Sequence, residues 1–118
     1  MLFKKVPTEL DEVWSECIRM HENICAFLSN KGAPKEIWLR QQKYDFCKIA
    51  SSCFFCQYDD DHNPNHLPDP ARTGCPSCPG VLVEPGWTCM NVNFAYGNYD
   101  GKFVIELKRL DEIRKAAK

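Results

Sequence analysis

Apolar residues recur at three- and four-residue steps over the first part of the chain, which places them on one face of an α-helix. Thr8-Glu9-Leu10-Asp11 is similar to a capping box, and Gly32 suits a left-handed C-terminal cap. The stripe consists of Leu10, Val13, Trp14, Cys17, Ile18, His21, Ile24, Cys25 and Leu28. The pattern predicts a helix over about 8–30.

A second helical pattern begins at Pro34, a residue that suits the first position of a helix. Its apolar positions include Ile37, Trp38 and Tyr44, and the pattern runs to about Ser51. Because the connection between the two helices is short, we expect an antiparallel helical hairpin over residues 8–51.

Three segments beyond residue 80 are typical of strands: a short apolar run, a stretch in which apolar and polar residues alternate, and a stretch rich in β-branched and aromatic residues. Strands are predicted at residues 81–83, 90–96 and 102–107, with a glycine-containing hairpin loop between the last two. A basic helix is expected from about Lys108 to the end of the sequence.

Two Cys-x-x-Cys pairs, Cys53–Cys56 and Cys75–Cys78, are separated by 18 residues rich in Asp, Asn, Pro and His. Each pair can direct two thiolates at one ion from a tight turn, and the long spacing lets the chain close a tetrahedron. The segment resembles a zinc ribbon or a pair of zinc knuckles. It predicts a Zn²⁺ site with four cysteine ligands, which leaves no open position for a substrate and is therefore structural. An iron–sulfur cluster also accepts four thiolates and stays open as an alternative.

The predicted fold class is α+β in a single zinc-stapled domain of 118 residues. It comprises an N-terminal helical hairpin (8–51), a zinc-ribbon- or knuckle-like loop with four cysteines (52–80), and a small antiparallel β-meander with a C-terminal helix (81–118). The chain has 44% hydrophobic and 26% charged residues and a net charge of −1, which argues against wholesale disorder. It lacks an apolar signal-peptide region and any run long enough to span a membrane, so we expect a cytoplasmic protein with reduced cysteines.

The remaining histidines and cysteines are candidates either for a metal ligand or for a place in the core. His62 or His66 could replace one cysteine ligand, although both are interpreted first as solvated loop residues, and Pro64 prevents a helix from placing both on one face. Four further cysteines and one histidine are predicted to pack in the core, with a cluster of leftover thiols kept open: Cys17, His21, Cys25, Cys47 and Cys89.

Two enzymatic hypotheses are weaker. Asp61-His62 resembles the Asp-His dipeptide of zinc-stapled HNH nucleases, in which the histidine acts as the general base. The region after Cys78 is predicted as strand and contains no histidine to complete a catalytic metal site, so the acidic run is interpreted as a solvated loop.

Cys75-Pro-Ser-Cys78 is similar to a glutaredoxin-type redox pair but lacks the preceding strand and following helix that lower a thiol pKa.

These patterns predict a non-enzymatic zinc protein that acts as a protein–protein interaction or adaptor module. Another protein is the expected partner, and the oligomeric state is left open. Residues 102–118 contain six basic and three acidic residues, so nucleic-acid binding is the alternative. An HNH-like nuclease ranks third.

Overall fold

The computed structural model describes residues 3–28, 30–45, 48–49, 53–62, 77–87, 89 and 101–117. Of these residues 69% are helical, and none lies in a strand. The elements are α1 (Leu10–Asn23), a π-helical segment (Ile24–Leu28), α2 (Pro34–Gln41), α3 (Phe54–His62), α4 (Pro79–Val83) and α5 (Lys102–Ala116).

The prediction of an α+β fold with a small antiparallel β-meander is wrong. The expected strand at 81–83 belongs to α4, and the expected strand at 102–107 forms the first turns of α5. The expected strand at 90–96 lies outside the described residues.

Helix α5 shows why the β-branched and aromatic content of residues 102–107 was misleading. Phe103 and Leu107 fit both a strand and a helix, but Ile105 between them is 70% exposed. The buried positions continue instead through Val104, Leu107 and Leu110, which is the spacing of one helix face. A short apolar run is compatible with the two-residue period of a strand and with the 3.6-residue period of a helix, and the tertiary contacts decide between them.

The prediction of a first helix is confirmed, but the helix begins and ends at other residues than expected. Helix α1 begins at Leu10 after Glu9, and this helix start forms neither the expected capping box nor another side-chain cap. Its last turns widen into the π-helical segment, which keeps Ile24 and Leu28 in the core.

Helix α2 begins at Pro34 as predicted but ends at Gln41, about ten residues earlier than expected. Lys43 adopts a left-handed conformation with φ of 66°. Its N–H donates to the carbonyl of Arg40, and the N–H of Tyr44 donates to that of Leu39. These two bonds form a Schellman motif, which usually contains glycine at the position of Lys43. The sequence therefore lacked the usual stop signal.

The core forms where α1 packs against α3 and α5, while α4 contacts both α3 and α5. Aromatic rings dominate it: the Trp14 and Phe55 centroids are 4.8 Å apart, and those of Tyr44 and Phe54 are 5.3 Å apart. The first contact packs the start of α3 on α1, and Trp87, which follows α4, lies 6.4 Å from Phe55 between ring centroids. None of the helices described here is long and apolar enough to pass through a membrane.

Candidate metal centre

The first Cys-x-x-Cys pair lies at the N-terminus of α3. Cys53 directly precedes the helix, and its carbonyl accepts the N–H of Gln57 at 2.9 Å, so the first turn is closed. Cys56 lies within that turn, and its thiol hydrogen-bonds to the sulfur of Cys53. The helix start therefore brings both predicted ligands of this pair together.

Helix α1 adds a third sulfur that the sequence did not assign to this place. Cys17 is fully buried, and its thiol donates a hydrogen bond to the sulfur of Cys53. Burial, together with this contact, raises the pKa of Cys17 well above its usual value. The hydrogen bonds that Cys53 accepts from Cys17 and Cys56 lower its own pKa. Cys53 is thus the sulfur most disposed to the thiolate form that a metal requires.

The second pair is described only in part. Cys78 is the N-cap residue of α4, and it is buried in the same hydrophobic cluster as Cys17. Cys53 and Cys89 pack against that cluster, and burial raises the pKa of Cys89. Cys75 lies outside the described residues. Cysteines from α1, the start of α3, the α4 cap and the following chain therefore border one region of the core.

Among the described residues, no group of three or more His, Cys, Asp or Glu side chains is arranged to hold a metal ion. The predicted four-cysteine site includes Cys75 and so reaches beyond those residues. Assignment of Cys53, Cys56, Cys75 and Cys78 as zinc ligands stays a prediction.

The acidic run lies on a helix rather than in the predicted solvated loop, and Asp59 contacts the second cysteine pair. Asp59, Asp60 and Asp61 all lie in α3. The carboxylate of Asp59 accepts the backbone N–H of Ser77, with Oδ1 2.6 Å from the nitrogen. Ser77 lies between the two cysteines of the second pair, so this bond joins helix α3, which carries Cys56, to the residue next to Cys78. The sequence contained no signal for it, because a backbone N–H can be matched to its acceptor only in the folded chain.

His62 ends α3 in an exposed position. Its Nδ1 lies 2.9 Å from the carbonyl oxygen of Tyr58, and the two rings stack with centroids 4.0 Å apart. Asp61 accepts a hydrogen bond from Gln57 at 2.9 Å. These local contacts within α3 do not build a nuclease-like metal site, and His66 lies outside the described part of the chain.

The predicted core packing of α1 is confirmed at His21. Its ring is almost fully buried and meets Phe103 edge-on, with the centroids 4.7 Å apart. Burial, reinforced by the nearby charge of Lys35, lowers the pKa of His21 to about 4. Cys25, the next candidate on this face, is only partly buried, and Cys47 falls among the residues that are not described.

The basic residues of α5 join this helix to its neighbours. Arg109 bridges Glu84 at 3.1 Å and Glu106 at 2.6 Å. Arg114 pairs with Asp11 of α1 and with Asp111 at 2.7 Å. Much of the positive charge noted in the sequence is therefore neutralised by acidic partners within the fold.

Comparison with known proteins adds no relative. No protein-family model, no curated protein and no solved structure matches this chain. The function has to be argued from the residues and their geometry.

Proposed function

We propose that this chain is a small cytoplasmic zinc-binding protein with a structural site formed by Cys53, Cys56, Cys75 and Cys78. In this proposal it is a non-enzymatic module that binds another protein. The observation that supports the metal site is that Cys53 and Cys56 interact at the start of α3, while Cys53 and Cys78, at the start of α4, border the same hydrophobic cluster.

The lengths of these helices support a structural role for the metal. Helix α3 has nine residues and α4 has five. Isolated helices below about 12 residues are marginal in water, so α3 and α4 depend on tertiary contacts or cross-links. A tetrahedral ion that binds both Cys-x-x-Cys pairs would hold the two helix starts in place.

Exposed apolar side chains support protein binding. Leu82 on α4 is 54% exposed and Ile105 on α5 is 70% exposed, and these two helices contact each other. Large exposed apolar side chains on adjoining elements suit a protein partner better than the polyanionic backbone of a nucleic acid. The ion pairs of Arg109 and Arg114 reduce the support for the nucleic-acid alternative.

Metal content is tested by mass spectrometry of protein made under reducing conditions, in native and denaturing solvent. One zinc ion per chain is expected, and it should be lost when Cys53, Cys56, Cys75 or Cys78 is replaced by serine. Cys25→Ser is the matched control and should keep the metal. A wild-type chain without metal would contradict the site, and bound iron with visible absorption would indicate a cluster instead.

The interaction role is tested by cross-linking and affinity capture from cells that express the protein, comparing wild type with Ile105→Glu and Leu82→Glu. The same partner should be recovered by wild type and lost with either charged variant. Ala116→Glu, on an exposed position of α5, controls for the single added negative charge. Recovery of nucleic acid with wild type, in amounts that fall with added salt, would favour the alternative function.

A further inference from the structure

We propose that Asp59 is a positioning residue of the metal centre, whose carboxylate holds the chain at Ser77 and Cys78 against the helix that carries the first cysteine pair. The inference rests on the proposed zinc site and concerns how that site is organised.

The geometry places Asp59 between the two pairs. It follows Cys56 by three residues within α3, so both side chains lie on the same side of that helix. Its Oδ1 accepts the N–H of Ser77 at 2.6 Å, across 18 positions of the sequence. Ser77 directly precedes Cys78, the N-cap residue of α4. One carboxylate therefore connects the helix that carries the first pair to the backbone next to Cys78.

The chemistry of this contact suits an organising role. A carboxylate is a charged acceptor, and hydrogen bonds to charged groups contribute about 1.5–3 kcal/mol. The donor belongs to the backbone, so the bond fixes the path of the chain rather than one side chain. The bond draws the two segments together, so it offsets part of the entropy that zinc would otherwise have to overcome when it closes the loop.

Asp61 of the same acidic run provides a contrast to this contact. It is exposed, and it accepts its hydrogen bond from Gln57 within the same helix. Because it carries the same charge two residues away from Asp59, it separates the effect of the bond to Ser77 from a general effect of negative charge near the site.

The experiment is a competitive zinc titration of the full reduced chain against a chromophoric chelator. Residues that orient metal ligands change affinity by about 10–100-fold when removed, and Asp59→Ala is expected to raise the zinc Kd by that factor. Asp59→Asn keeps an oxygen acceptor without the charge and should raise Kd by about 3–10-fold. Asp61→Ala should stay within about twofold of wild type.

A second readout separates positioning from general stability. With cobalt(II) in place of zinc, wild type and Asp61→Ala should give the same tetrahedral thiolate spectrum, while Asp59→Ala should give weaker or shifted bands at saturating metal. Should Asp59→Ala fail to fold, Asp59→Asn decides the question on its own. A zinc Kd for Asp59→Asn equal to that of wild type would overturn the inference. A wild-type chain that binds no zinc would overturn the proposed function instead.

Discussion

The indole ring of Trp87 lies directly against Gly80, so closely that a Cβ on residue 80 would overlap the six-membered part of the ring. Gly80 lies in the first turn of α4, and the buried Trp87 follows the end of that helix. The indole Nε1 in turn donates to Glu106 of α5 at 3.0 Å. The missing side chain of Gly80 thus allows α4 to dock on α5 through one tryptophan.

Gly80→Ala should lower the free energy of unfolding by about 1–3 kcal/mol, because the new methyl group forces the ring or the helix to move. The sign of this change is informative, because alanine inside a helix is otherwise favoured over glycine by about 1 kcal/mol. A loss of stability therefore reports the overlap with Trp87. Urea denaturation followed by circular dichroism measures the change. Gly32→Ala is the control, because a Cβ at that position meets no atom within 4 Å. Equal stability of the two variants would contradict the tight contact.

Glu106→Ala should destabilise the chain by about 2–3 kcal/mol, because it leaves the buried N–H of Trp87 without its acceptor. The hydrogen bond from Arg109, at 2.6 Å, together with that from Trp87, lowers the pKa of Glu106 despite its burial. Tryptophan fluorescence during urea unfolding reports the change. Glu112→Ala, at an exposed position of the same helix, should stay within about 0.5 kcal/mol of wild type. Similar losses of unfolding free energy in the two variants would show that the hydrogen bond from Trp87 makes no specific contribution to stability.

Stability should fall in acid partly through Glu16. Burial raises the pKa of this carboxyl, but hydrogen bonds from Arg19 and Tyr44 and the charges of Arg19 and Lys4 outweigh burial and lower the pKa to about 2. The Tyr44 hydroxyl donates to it at 2.7 Å. A depressed folded-state pKa stabilises the protein above the unfolded value of 4.5, and this stabilisation is lost as pH falls from there towards 2.

The measurement is the difference in unfolding free energy between wild type and Glu16→Gln across pH 2–7. Because the partners Arg19 and Lys4 are partly exposed and solvent screens their charges, the wild-type advantage should be about 1–2 kcal/mol near neutrality and shrink to almost zero near pH 2. Any effect of protonating the thiols of the proposed zinc site is common to both chains and cancels in the difference. An advantage that does not depend on pH would rule out the carboxylate as its source.

Removal of the metal should unfold part of the molecule. A strong zinc chelator is expected to reduce the helical circular dichroism signal, because α3 and α4 would lose the ion that joins their starts. Zinc at about 1,000 times its Kd should restore about 4 kcal/mol of stability. Added magnesium is the control and should restore nothing, since thiolates do not suit that ion. Full helicity in the presence of the chelator would mean that the aromatic core suffices by itself.

The accuracy of the sequence-based prediction differs between elements for identifiable reasons. Helix α1 was predicted well because its long stripe, from Val13 to Ile24, fits one helix face and no other regular element. Helix α4 was missed because three consecutive apolar residues carry no period. Its start depends on Cys78 as N-cap and Pro79 as first residue, which were interpreted only as parts of a metal-binding turn.

For the candidate metal site too, the sequence predicted some features and missed others. The spacing of Cys53, Cys56, Cys75 and Cys78 was sufficient to predict a metal site, because ligand spacing is a local property of the chain. The contact of Cys17 with Cys53 joins residues that are far apart in the sequence, so it has no local signature. Charge pattern alone likewise presented Asp59 as one of three equivalent acids in a loop.

By itself, therefore, the sequence determined what short-range chemistry specifies: the face of α1, the proline start of α2 and the paired cysteines. The tertiary structure alone decided that residues 102–107 form a helix, that Trp87 covers Gly80, and that Asp59 bonds to Ser77. These outcomes depend on which surfaces meet after the chain has packed, and burial and hydrogen bonding between distant residues then override the local pattern.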